Sequence, residues 1–134
     1  MKRVLLAAIV ISSSVLMVGC APKPPSQVAI SSADYGTLPN DYQQQIKNHM
    51  ASVLKDPESA RYTFEPPFKG YSQDGSLSPT SGGVRYGQIV GVQVNAKNSY
   101  GGYTGNQLYV FMFSDGVIYD TTSNFQFGRV VRVQ

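Results

Sequence analysis

His49 is the single imidazole in the chain, and acid–base work would require it to meet a carboxylate and a reactive hydroxyl or thiol. On a helical projection it lies beside Ile46 and Val53, a boundary position, and no serine or cysteine nucleophile is tied to it by spacing. Among the carboxylates, Asp56 with Glu58 reads as a loose cation site, although a helix cap and a solvated neighbour account for them equally well. Asp74 and Asp115 each precede a glycine, as turn residues do. One cysteine and one histidine supply no zinc motif, and Gly101, Gly102 and Gly105 lack the spacing and lysine of a phosphate-binding loop, so neither metal nor cofactor is expected. The strongest binding feature is aromatic. Tyr100 and Tyr103 flank Gly101-Gly102, with Lys97 and Asn98 just before them. Such rings either fold back to cap a core or offer a partner an amphipathic surface with few torsions to freeze.

The elements that must carry this loop are legible on both sides of it. Val90, Val92 and Val94 alternate as in a half-buried strand, whereas residues 108–113 are apolar on both faces, as in a strand inside a sheet or beneath a helix. Val84 and Tyr86 extend the first pattern backwards, and Gly87 and Gly91 within it mark a bulge or a close crossing. Ser114-Asp115-Gly116 is a hairpin signal leading to Val117, Ile118 and Tyr119. Phe125 and Phe127 lead to a last strand containing Val130, Val131 and Val133. Upstream, Asn40 reads as the cap of a helix, with Gln43 placed for the reciprocal bond and Tyr42, Ile46, Met50 and Val53 on one stripe. Asp56-Pro57 ends or restarts helix, Arg61 to Phe64 form a short strand with Tyr62 and Phe64 on one face, and Glu65-Pro66-Pro67 stops it. Residues 68–83 read as a turn-rich mobile loop in which Tyr71 plugs the end of the core. The expected fold class is α+β: one N-terminal helix packed on a small, mostly antiparallel sheet of about five strands.

Residues 1–19 have the form of an export leader, with Lys2 and Arg3 followed by an apolar run too short to be a good membrane span. Met17-Val18-Gly19-Cys20 resembles the lipobox of bacterial lipoproteins. That resemblance implies cleavage before Cys20 and lipidation of its sulfur and amino terminus, hence a membrane anchor. Lipidation would also remove an otherwise unpaired thiol from an oxidising compartment. Loss of Lys2 and Arg3 lowers the formal side-chain charge from +3 to +1, which leaves nucleic acid or a strongly acidic partner without electrostatic support. Residues 20–37, rich in proline and serine, read as a lipidated flexible tether in which Val28-Ala29-Ile30 could dock; residues 38–134 form the domain.

Asp56-Pro57-Glu58-Ser59-Ala60, together with the run from Val94-Asn95-Ala96 through Tyr103-Thr104-Gly105, resembles a widespread group of small, uncharacterised bacterial envelope proteins. The likeness covers roughly residues 38–134 and implies a compact secreted domain without implying a mechanism. Ala21 after the cysteine differs from the aspartate of an inner-membrane retention signal, so the expected location is the outer membrane with the domain facing the periplasm. The expected function is a non-catalytic, membrane-tethered interaction or structural module, part of a larger periplasmic or outer-membrane assembly. Its partner would be an envelope protein or peptidoglycan, met by Tyr100, Tyr103, Lys97 and Asn98. The alternative is a periplasmic cell-wall hydrolase or accessory enzyme using Asp56, Glu58 or His49.

Overall fold

The computed structural model describes residues 21–134; the leader and Cys20 lie outside the described residues. The chain runs α1 (Gln27–Ser32), α2 (Tyr42–Ala51), β1 (Asp56–Phe64), β2 (Phe68–Gln73), β3 (Val84–Lys97), β4 (Gln107–Ser114), β5 (Val117–Asp120), α3 (Thr122–Gln126) and β6 (Val130–Arg132). The strands form one antiparallel sheet in the order β5-β4-β3-β2-β6, with β1 also paired to β3. The α+β class is as expected, and the sheet is not closed into a barrel.

The long β3 organises the sheet. Its C-terminal half pairs with β1 and its N-terminal half with β2, so β1 and β2 lie end to end along one side of it, separated by Pro66-Pro67, which have no N–H to donate. Along the other side β3 pairs with β4 from Gln88 opposite Phe113 to Val94 opposite Gln107. Asp115 and Gly116, at φ 51° and 74°, make the expected two-residue turn into β5.

Ile46 and Met50 of α2 are fully buried against Val90, Val92, Val94, Phe111 and Phe113, with Tyr62 and Phe64 at the margin. Burying an aliphatic side chain of this size contributes about 1.5–3 kcal/mol, so this face is the principal core. The opposite face holds a smaller cluster of Ile89, Val110 and Met112. β4 is apolar on both sides because it feeds both clusters.

Several expectations are corrected. Position 41, not Asn40, is the helix N-cap; Asp41 makes no capping bond with its side chain, which instead accepts from Gln45 Nε2 at 2.9 Å. Because α2 stops at Ala51, Val53 leaves the helical stripe and Leu54 packs in its place. β1 starts at Asp56. Residues 68–73 are not loop but β2, held between β3 and β6 by partners distant in sequence. Tyr71 is buried there as expected, but in line with Tyr86 and Tyr35, whose rings meet edge-on. The lead-in to the last strand is helical, Phe125 lying in α3 with Phe127 as its C-cap, and β6 ends at Arg132, so Val133 lies just past it while its N–H still donates to Lys69 O. Gly87 marks a close crossing: a Cβ there would run into the Phe113 carbonyl.

The segment expected to be an extended tether also differs. Ser26 Oγ caps α1 by accepting from Ala29 N, and the Tyr35 hydroxyl donates to Ile30 O. Gln73 Nε2 donates to Lys23 O at 2.7 Å and Gln88 Nε2 to Gly36 O at 3.1 Å. Contacts with the sheet, not the segment's own composition, offset its ordering entropy.

In the loop after β2, the Asp74 carboxylate accepts from Thr80 Oγ1 at 2.6 Å and Asn124 Nδ2 at 2.9 Å. Those two bonds, with the Arg85 and Arg129 charges, hold its pKa below the usual carboxylate value despite partial burial. A depressed folded pKa contributes stability that is complete above the unfolded value and lost as pH falls through the folded one. Asp74→Asn is therefore expected to lower Tm by a few degrees near neutral pH and to narrow its gap from the wild type as acid is added. Thermal unfolding between neutral pH and pH values below the carboxylate range checks this; parallel curves would contradict it.

Candidate partner-binding loop

Residues 98–106 prolong the β3–β4 hairpin beyond the sheet. Lys97 bridges to Tyr103, and Thr104 N donates to Ala96 O. Inside the loop Asn98 does most of the ordering. Its N–H donates to Gly102 O at 2.8 Å, its carbonyl accepts from Gly101 N, and its side-chain Oδ1 accepts from Tyr100 N at 2.9 Å and Gly102 N at 3.2 Å. Gly101, at φ 79°, takes a conformation that a side chain would strain. Asn95 Oδ1 accepts from Gly105 N and secures the returning limb.

The two tyrosines have separate fates. Tyr103 lies back across the sheet: its hydroxyl donates to Ser59 O at 3.2 Å, the Arg61 guanidinium sits 4.4 Å from its ring centre, and Lys97 Nζ lies 5.6 Å from it. It remains 40% exposed, so it braces the loop against β1 without closing the core. Tyr100 is 96% exposed. The structure thus brings Lys97 and Tyr103 together, uses Asn98 as the internal organiser and presents Tyr100 outward. Arg61 was missed by sequence reasoning, because its place over Tyr103 follows from the pairing of Arg61 with Asn95 across strands.

The acid–base candidates are dispersed. His49 Nε2 stands 3.9 Å from Asp120 Oδ2, with its ring edge-on to Phe111, while Asp120 Oδ1 accepts from Thr122 N. Asp56 Oδ1 accepts from Ser59 N, and Asp56 O from Ser59 Oγ, at the irregularity where β1 joins β3. Among the described residues, no group of three or more His, Cys, Asp or Glu is placed to hold a metal ion. A groove of about 400 Å³ between α1 and β6, lined by Ile30, Tyr71 and Val131 among others, contains none of the four loop residues. No described helix is long and apolar enough to cross a membrane. No family model, curated protein or solved structure matches the chain.

Proposed function

We propose that this chain is a lipid-anchored, non-catalytic interaction module of the bacterial envelope, facing the periplasm from the outer membrane and recognising a protein partner through the 98–106 loop. The observation that carries the reading is the exposure of Tyr100 on a backbone already fixed by Asn98. An aromatic ring held in solvent on an ordered loop loses little conformational freedom when it is buried by a partner, which is the property of an interface anchor. The cationic and aromatic surface beside it, Tyr103 with Arg61 and Lys97, matches the enrichment of tyrosine and arginine at such contacts.

Tyr100→Ala is expected to reduce cross-linked partner capture from intact envelopes by about thirtyfold, the equivalent of a hot spot of about 2 kcal/mol, while leaving the thermal unfolding temperature unchanged. Tyr103→Ala is expected to lower both, because that ring also braces β1. Undiminished capture by the Tyr100 variant at wild-type stability would reject the loop as the binding surface.

A further inference from the structure

The outer edge of β1 is open, and its sequence is complementary to itself. Glu65 N donates to Gly91 O, and in the same register Thr63 opposes Gln93 and Arg61 opposes Asn95. In an antiparallel ladder the bonded positions alternate, so the backbone groups of Arg61, Thr63 and Glu65 face β3, whereas those of Tyr62 and Phe64 face away from the sheet. β6 covers the outer side of β2 from Gly70 to Ser72, and β1 pairs with β3 alone. An uncovered edge with unpaired N–H and C=O groups is a template for another strand.

We infer that the occupant is β1 of a second copy of this chain, paired antiparallel about a two-fold axis through Thr63. Only pairings that set outward-facing residues opposite one another can form the ladder, and centring on Thr63 places Tyr62 opposite the second copy's Phe64. The same register puts Arg61 opposite the second copy's Glu65, and the symmetry makes that ion pair twice. Both residues are exposed, both lie on the sheet face that carries Thr63, and among the described residues neither has an oppositely charged group within 4.0 Å. Neighbouring registers fail for identifiable reasons. Centring on Arg61 or Glu65 sets like charges opposite each other, centring on Phe64 sets Tyr62 opposite Pro66, which has no N–H, and centring on Tyr62 leaves both charges unpaired. On the other face Tyr62 and Phe64 already stack at 6.1 Å, so the pairing extends an aromatic row across the axis. The contact is isologous and closes as a dimer, with one sheet running through both chains.

The pairing does not depend on Tyr100, which lies outside the strand. The test uses the full-length, membrane-inserted chain. Thr63→Cys meets its own copy at a non-hydrogen-bonded position, where Cα atoms approach to about 4.5 Å, within disulfide range. Mild oxidation is expected to give a disulfide-linked dimer. The wild type, whose single cysteine is Cys20, and an Asn40→Cys control are expected to give none. Adding Arg61→Glu or Glu65→Arg should reduce the cross-link about tenfold or more, and combining them should restore it, because the charges are exchanged. Restoration cannot come through Tyr103, since the double variant lacks the Arg61 contact. Failure of Thr63→Cys to cross-link, or of the double variant to recover, overturns the pairing, as does sedimentation of the detergent-extracted wild type as a monomer. A Glu65→Arg chain that no longer cross-links yet still captures its partner would support the pairing and show that the Tyr100 surface acts independently of it.

Discussion

Phe111→Ala is expected to destabilise the domain by about 3–5 kcal/mol, a large share of the roughly 5–15 kcal/mol that holds a domain folded. Phe111 is fully buried on β4, opposite Val90 on one side and Asp120 on the other, in the cluster that receives Ile46 and Met50 from α2. Truncation removes the ring's transfer energy and leaves a cavity. The strand is held by ladders on both sides and cannot move far to fill the space, while α2 can approach only by dragging Tyr42 away from Phe64 and Phe113, whose rings it meets edge-on. The measurement is urea unfolding: the midpoint should fall sharply at an unchanged slope. Phe127→Ala is the matched control. That ring is 70% exposed and should change stability by no more than about 0.5 kcal/mol. Equal losses for the two variants would mean that the cluster under α2 is not the principal core.

What could be read from the sequence depended on whether neighbours along the chain or across the sheet decide the structure. The α2 stripe, the alternation of β3, the two-sided apolar run of β4 and the Asp115-Gly116 turn are local signals, and each produced the element expected of it. β2 was missed because Gly70 and the polar residues Ser72 and Gln73 look like loop. Their burial is a property of the strands on both sides of them, and Gly70 faces Gly87 where the sheet permits no Cβ. The same holds for residues 21–37, whose partners are Gln73 and Gln88. The 98–106 loop was visible as glycines around tyrosines, but Tyr100 and Tyr103 could not be told apart, since what distinguishes them is a carbonyl on β1 and the Arg61 side chain. The arginines are scattered along the chain, yet Arg85 lies over Tyr119 and Arg132 over Phe68 in the same way that Arg61 lies over Tyr103. Cross-strand placement, which one-dimensional spacing does not reveal, sets each of those pairs.

Cys20→Ala is expected to abolish lipid attachment completely and to leave residues 1–19 on the chain, because cleavage in a lipobox follows modification of the cysteine. Intact mass of the membrane-extracted protein decides this, whereas fractionation does not, since an uncleaved apolar leader would itself hold the variant in a membrane. A wild-type mass without lipid, or with the leader retained, would contradict the anchor. The consequence for geometry is specific. Lys23 O accepts from Gln73 Nε2 beside the 74–83 loop, so a lipid on Cys20 would be separated from the sheet by only a few residues, about 10 Å of extended chain. Such a leash would be short and would attach at the end of β3 marked by Val84, the partner of Gln73. Tyr100 follows the other end of that strand, and its 14 residues span roughly 40 Å. An anchor at that end would hold the sheet against the bilayer there and direct the 98–106 loop away from it. A fluorophore at Leu77→Cys, a 99% exposed site on the 74–83 loop, should be strongly quenched by a lipid-borne quencher, and one at Tyr100→Cys should not. Equal quenching at both positions would show that the chain leaves the bilayer in some other orientation, and the separation of an anchored end from a binding end would fall with it.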